Sequence, residues 1–323
     1  MRIIHDLKEL TEVPRHTVAT IGNFDGVHLG HRAIFRRVVS EARQVQGTAT
    51  VITFNPHPLK LLAPKRAPLL IDTYAERERL IAASCIDLLV CLPFTPALAA
   101  LPATIFVTDI LIRSLGLKHL IVGYDYAFGR DRQGDAIFLQ GCGERYGFTV
   151  EVLPPIMQNQ DVYSSTRIRQ LLQEGEVEAA ASLLGRHFSL EGKVVHGAGR
   201  GKNLGFPTAN LRTGKELLPK EGVYAVKVRH GATLLDGVAN IGRNPTFGEN
   251  ELTVEVHLLD VNQSLYGETL RLYFLQRLRG EKRFATASAL CAAIQADIDR
   301  ARQVLDHASI IEYREFLKGG EEK

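Results

Sequence analysis

The chain has 323 residues, 45% hydrophobic and 23% charged, with a formal net charge of +3; that leaves room for about two globular domains and too little charge to imply a nucleic-acid or membrane surface. No apolar run approaches the ~20 residues that span a bilayer, and Met1 to Leu10 mixes Arg2, Asp6, Lys8 and Glu9 with its apolar residues, so neither a membrane segment nor a leader is expected. Cys85, Cys91, Cys142 and Cys291 are scattered without a CxxC pair and read as reduced thiols of a cytoplasmic protein rather than as metal ligands.

In chain order, the apolar run Val18 to Ile21 breaks at Gly22 and Gly26, and a helical pattern begins beyond His28. A strand entering a helix through a glycine turn is a phosphate-binding device, because the first helical N–H groups are unpaired and carry partial positive charge. His28 and His31, three apart, share a face of that first turn. Two imidazoles there suit a triphosphate attacked at its α-phosphorus, although HxGH alone fits two surface histidines equally well. Thr48 to Phe54, Ile86 to Leu92 and His119 to Val122 read as buried strands, with Ala33 to Gln44 and Ala75 to Ala83 as helices between them. This alternation predicts an α/β Rossmann-like domain with a parallel sheet covered on both faces and its site at the strands' carboxyl ends.

Phe54-Asn55-Pro56-His57-Pro58 and Gly123 to Gly129 (GYDYAFG) follow two of those strands. Each offers aromatics for a flat ring, and each also suits plain loop packing. Ser164 to Arg169 (SSTRIR) opens a helical pattern; its hydroxyls and arginines suit phosphate as well as a simple N-cap.

After about Leu184 the pattern becomes all-β, with short alternating runs at Val223 to Arg229, Leu234 to Asn240, Leu252 to Leu259 and Thr269 to Leu275, then a helix over Ala285 to Leu305. A small barrel with a C-terminal helix is predicted, dividing the chain into 1–184 and 185–323. Gly197, Gly199 and Gly201 alternate with small or basic residues, and Arg200 and Lys202 add charge to a loop able to close around phosphates. In the following GFPTAN, Thr208 and Asn210 point the same way on an extended segment, an oxygen pair suited to Mg²⁺. Glu255 falls on the polar face of TVEVHLLD, placed to accept a proton from a hydroxyl, though most strand glutamates are merely exposed. Glu268 is a weaker candidate for the same task.

GNFDGVHLGH and SSTRIR resemble the HxGH nucleotidyltransferases, and most of all the adenylyltransferase module of bacterial bifunctional riboflavin kinase/FAD synthetases. GFPTAN is similar to the PTAN motif of riboflavin kinases. The resemblance implies that Gly22, Phe24, Asp25, Gly26, His28, His31, Ser165, Thr166 and Arg169 contact ATP in the first domain. It implies that Phe54, Pro56, His57, Pro58, Asp125 and Phe128 shape its flavin pocket. In the second domain it assigns ATP and Mg²⁺ to Gly197, Gly199, Arg200, Gly201, Lys202, Thr208 and Asn210, the metal itself to Thr208 and Asn210, and the base to Glu255. Some relatives carry Asn where Asp125 stands, which leaves the role of that side chain open. Riboflavin would be phosphorylated to FMN and FMN adenylylated to FAD, each step using one ATP with Mg²⁺. A non-enzymatic flavin-binding protein and an RNA-binding protein are the alternatives; 7% aromatic content, no Trp and no basic stripe weaken the second. The expected partners are small molecules, not nucleic acid or membrane, and homo-oligomer formation is left open.

Overall fold

The computed structural model describes residues 1–124, 126, 128–129, 133–158, 161–197, 201, 204–243, 252–261 and 263–312. The expectations for Asp125, Gly199, Arg200 and Lys202 lie outside these residues. Two compact units divide the chain between Ser164 and Ser165.

The first unit is built on six parallel strands: β1 (Arg2–Ile4), β2 (Thr17–Ile21), β3 (Ala49–Asn55), β4 (Leu88–Pro93), β5 (Leu117–Gly123) and β6 (Thr149–Leu153). They lie in the order β1-β4-β3-β2-β5-β6, and a short antiparallel pair, β7 (Met157–Gln158) and β8 (Asp161–Val162), follows. Helices α1 (Leu29–Gln44), α2 (Pro58–Leu62), α3 (Tyr74–Ala82), α4 (Pro96–Ala99), α5 (Ala103–Ile105) and α6 (Ala136–Tyr146) connect them, with a π-helical stretch at Phe106–Ser114. Successive side chains of a strand point to opposite faces, and both faces here are apolar. Ala19, Ile21, Ile52, Val90 and Val122 enter one core cluster, whereas Val18, Val51, Leu89 and Ile121 enter another. Burial on both sides explains why these strands read as unbroken apolar runs. Helix α1 buries Phe35, Val38, Val39 and Ala42, an i, i+3, i+4, i+7 stripe, against the second cluster. Phe35 is fully buried, so truncating it to alanine is expected to remove about 3–5 kcal/mol.

The second unit holds helices α7 (Ser165–Glu174) and α8 (Val177–Leu184) and six antiparallel strands. These are β9 (Ser189–Val195), β10 (Ala209–Thr213), β11 (Gly222–His230), β12 (Thr233–Arg243), β13 (Leu252–Leu258) and β14 (Thr269–Arg279). They close into a barrel in the order β10-β13-β12-β11-β14-β9. Helix α9 (Ala287–Leu305) covers the outer face of β11 and β14, packing Ala301 and Leu305 against Val223, Ala225, Tyr273 and Leu275. The division of packing falls earlier than the 184/185 boundary expected from composition. Lys220 N donates to Leu172 O at 2.9 Å and Gln276 Nε2 to Glu178 Oε1 at 3.2 Å, so α7 and α8 belong with the barrel.

Candidate active sites in the two units

In an open parallel sheet the ligand crevice forms at the carboxyl ends of the strands, where the strand order reverses direction. Here that point lies at β2, with β3 on one side and β5 on the other. The segments after these three neighbouring strands are GNFDGVHLGH, PHP and the start of GYDYAFG. Three motifs far apart in sequence are thus side by side because of topology alone.

The loop after β2 is shaped by unusual backbone. Phe24, Gly26 and Val27 have φ of 48°, 85° and 33°. The Phe24 ring lies over Gly22, where an added Cβ would come within 2.9 Å of it, and meets His31 edge-on at 5.2 Å. His28 caps α1: its Nδ1 accepts from His31 N at 3.3 Å, and the two imidazoles stack at 3.6 Å. The histidines therefore form one rigid pair at the positive end of a sixteen-residue helix. Asp25, only 2% exposed, turns away from solvent. Its carboxylate accepts from Ile71 N at 3.1 Å and Asp72 N at 3.2 Å, so it anchors the loop to the segment leading into α3. Arg77 of α3 completes the anchor by donating from Nη1 to Asn23 O at 2.8 Å. Arg77 carries no motif signal; it is found only when α3 is packed beside the loop.

The ring-binding candidates are mostly packed inward. Phe54 is buried edge-to-face on Phe94 at 5.6 Å. Asn55–Pro56 is a cis bond, His57 caps α2 by accepting from Leu59 N at 3.2 Å, and Pro58 is the first residue of that helix. Phe128 is buried against Tyr126 at 5.7 Å and Phe106 at 5.2 Å. The exposed aromatic of this segment, among the described residues, is Tyr124. Ser165, Thr166 and Arg169 occupy the first half of α7, in the other compact unit.

In the barrel, strand pairing builds the site. Asn210 of β10 lies opposite Glu255 of β13, and Glu255 lies opposite Asn240 of β12. Val254, Val256 and Leu258 fill the core while Thr253, Glu255 and His257 are partly exposed on the other face. That outer face and α9 enclose a cavity of about 810 Å³. Thr208 Oγ1 donates to Glu255 Oε2 at 3.3 Å, and His257 Nδ1 lies 2.7 Å from Pro207 O, fixing the PTAN segment against β13. Asn210 Oδ1 is buried with no hydrogen-bond partner among the described residues. A Cβ at Gly197 would come within 2.1 Å of its amide nitrogen, so the glycine makes room for it. An orphaned amide oxygen beside a hydroxyl and a carboxylate is the donor set a hard divalent cation takes.

The far wall of this cavity was not legible in the sequence. Arg279 ends β14, and Glu281, Arg283 and Phe284 come from the segment between that strand and α9. Arg279 donates from Nε and Nη2 to the Asp297 carboxylate, the shortest contact at 2.7 Å, and so fastens this wall to α9. Burial pushes the Glu281 carboxyl up, helped by Glu221 nearby.

Residues 10–167 match the family model for FAD synthetase, and residues 184–305 match that for riboflavin kinase. The bifunctional riboflavin kinase/FMN adenylyltransferase of Escherichia coli strain K12 is 40% identical over 305 residues, covering 94% of this chain and 97% of that protein. The chain belongs to this family. The Pseudomonas fluorescens member is 41% identical over 303 residues, again covering 94% of this chain and 97% of its own length. A crystal structure described as a macrolide-efflux protein from Streptococcus pneumoniae superposes with a TM-score of 0.83 at 34% identity, covering 93% of this chain and 98% of that one. No helix among the described residues of the present family member is long and apolar enough to cross a membrane. The paired imidazoles lie inside the first match and the Asn210–Glu255–Asn240 row inside the second.

Proposed function

We propose that the two activities of this bifunctional riboflavin kinase/FMN adenylyltransferase are carried by 185–323 and 1–184 respectively, with the roles that follow. The observation that carries the assignment is the Asn210–Glu255–Asn240 row across three strands beside a cavity, in a unit separate from the His28–His31 pair.

In the barrel the terminal ribityl hydroxyl of riboflavin attacks the γ-phosphorus of ATP. Its oxygen bonds to that phosphorus, its proton passes to the Glu255 carboxylate, and the bond to the ADP oxygen breaks. Thr208 holds one Glu255 oxygen through its hydroxyl. Thr208 and Asn210 would hold Mg²⁺, which when bound neutralises phosphate charge. Gly197 and Gly201 let backbone approach the nucleotide, and Gly199, Arg200 and Lys202 belong to the same loop by resemblance.

In the first unit an FMN phosphate oxygen attacks the α-phosphorus of ATP and pyrophosphate leaves. No side chain need exchange a proton. His28, His31 and the N–H groups opening α1 act on the charge that develops, and Gly22, Phe24, Asp25 and Gly26 hold them in place. Ser165, Thr166 and Arg169, which belong to the other compact unit, are assigned phosphate contacts by the resemblance alone. Phe54, Pro56, His57, Pro58 and Phe128 shape the flavin side, Phe54, His57 and Phe128 as buried supports, with Asp125 in the same segment as Phe128. Cytoplasmic residence belongs to this reading, in which the four cysteines form no disulfide.

The test is chromatography of flavins after incubating the protein with riboflavin, ATP and Mg²⁺. FMN rising first and FAD later is the expected result. FMN without FAD would remove the first unit's role, and neither product with ATP intact would leave a flavin-binding protein.

A further inference from the structure

Outside both sites, one cluster joins three kinds of metal donor. Parallel pairing of β1 with β4 sets Ile4 opposite Val90, which brings His5, one residue further on, level with Cys91. Glu78 reaches the same place from α3. An imidazole nitrogen, a carboxylate oxygen and the Cys91 sulfur lie within 4.8 Å of one another, and no other such group occurs among the described residues. The three positions span 5 to 91 without any sequence spacing, which is why the cysteines read as plain thiols.

We propose that His5, Glu78 and Cys91 form a binding site for a zinc-like divalent transition metal, with solvent completing the coordination. The donor set is the argument. Thiolate and imidazole favour zinc and its neighbours over the harder Mg²⁺, and three protein ligands with an open fourth position is an established zinc arrangement. Bonds of roughly 2.0–2.3 Å in a tetrahedron set donors about 3.5 Å apart, so the cluster needs only a small inward movement. His5 is exposed and able to make it, while Cys91 is fixed in a central part of β4. Charge also fits: one thiolate and one carboxylate balance a dication. Burial now pushes the Cys91 thiol up, so metal binding would release its proton to solvent. A bound ion would tie the three-residue edge strand β1 to α3, the helix whose Arg77 holds the loop after β2.

The full chain should be titrated with Co²⁺ without nucleotide, following the near-ultraviolet thiolate-to-cobalt charge-transfer band. Thr208 and Asn210 offer no thiol, so occupancy there is silent in this band. One Co²⁺ per chain is expected, displaced by Zn²⁺, with the band lost in Cys91→Ser. His5→Ala and Glu78→Gln, surface changes with little risk to folding, should each weaken binding at least about tenfold, the cost that even outer-shell losses exact. FMN and FAD formation should be unchanged in His5→Ala. Absence of the band in the native chain, its persistence in Cys91→Ser, or wild-type affinity in His5→Ala would each overturn the proposal.

Discussion

The two sites use opposite strategies. The loop after β2 is made by backbone conformation and strand order, and its side chains are structural parts of the unit: Asp25 and His28 are 2% and 4% exposed. The row in the barrel is made by antiparallel register, and its groups face a cavity while the alternate residues carry the core. Substitutions in the first site therefore change chemistry and stability together, whereas those in the second should change chemistry almost alone.

The largest expected effect tests that separation directly. Glu255→Ala should lower FMN formation from riboflavin by about 10²–10⁴-fold, the range of a lost general base, and leave FAD formation from supplied FMN intact. Loss of both activities would break the comparison. His28→Ala should lower FAD formation by about 10²–10³-fold, so that FMN accumulates, and should also cost about 1 kcal/mol as a lost helix cap. His28→Asn sharpens the point: asparagine caps well, so stability should return in a denaturant melt while adenylyl transfer does not.

Asp25→Ala leaves the amides of Ile71 and Asp72 without their acceptor. It should destabilise the first unit by about 1–3 kcal/mol, seen as an earlier denaturant midpoint, with riboflavin kinase activity unaffected. The smallest effect concerns pH. Burial holds the His187 imidazole below its ordinary value of 6.5, and Nδ1 accepts from Ile311 N at 3.1 Å. The unfolded chain binds a proton that the folded barrel resists. This contribution is thus full above pH 6.5 and lost as pH falls through the depressed value. The stability gap between the native chain and His187→Gln should shrink on acidification; a gap constant with pH would contradict this.

Sequence showed what is local. The turn at Gly22 to Gly26, the helix after His28 and the alternation in TVEVHLLD carry their period in consecutive residues, and each matches the structure. Strand β1 was missed because three residues hold no period. Strand β9, SLEGKVV, was missed because Gly192 breaks its apolar alternation. Packing roles were missed for a different reason. Asp25 reads as a nucleotide contact until the amides of residues 71 and 72 are placed over it, and Phe128 reads as a stacking ring until the neighbouring aromatics surround it. Partnership between distant segments has no signature in either segment alone.

Closure of the barrel has a consequence for how this chain tolerates stress. Each of its strands has two ladder partners, so among the described residues the unit presents no free strand edge to which another chain can add. The parallel sheet has two edges. One is β1, shortened to three residues; the other is β6, where Glu151 accepts from Arg37 Nε at 2.9 Å and sets charge along the rim. Short, charged edges are how open sheets resist aggregation. Strand-to-strand clumping on heating should accordingly begin in the first unit and spare the barrel.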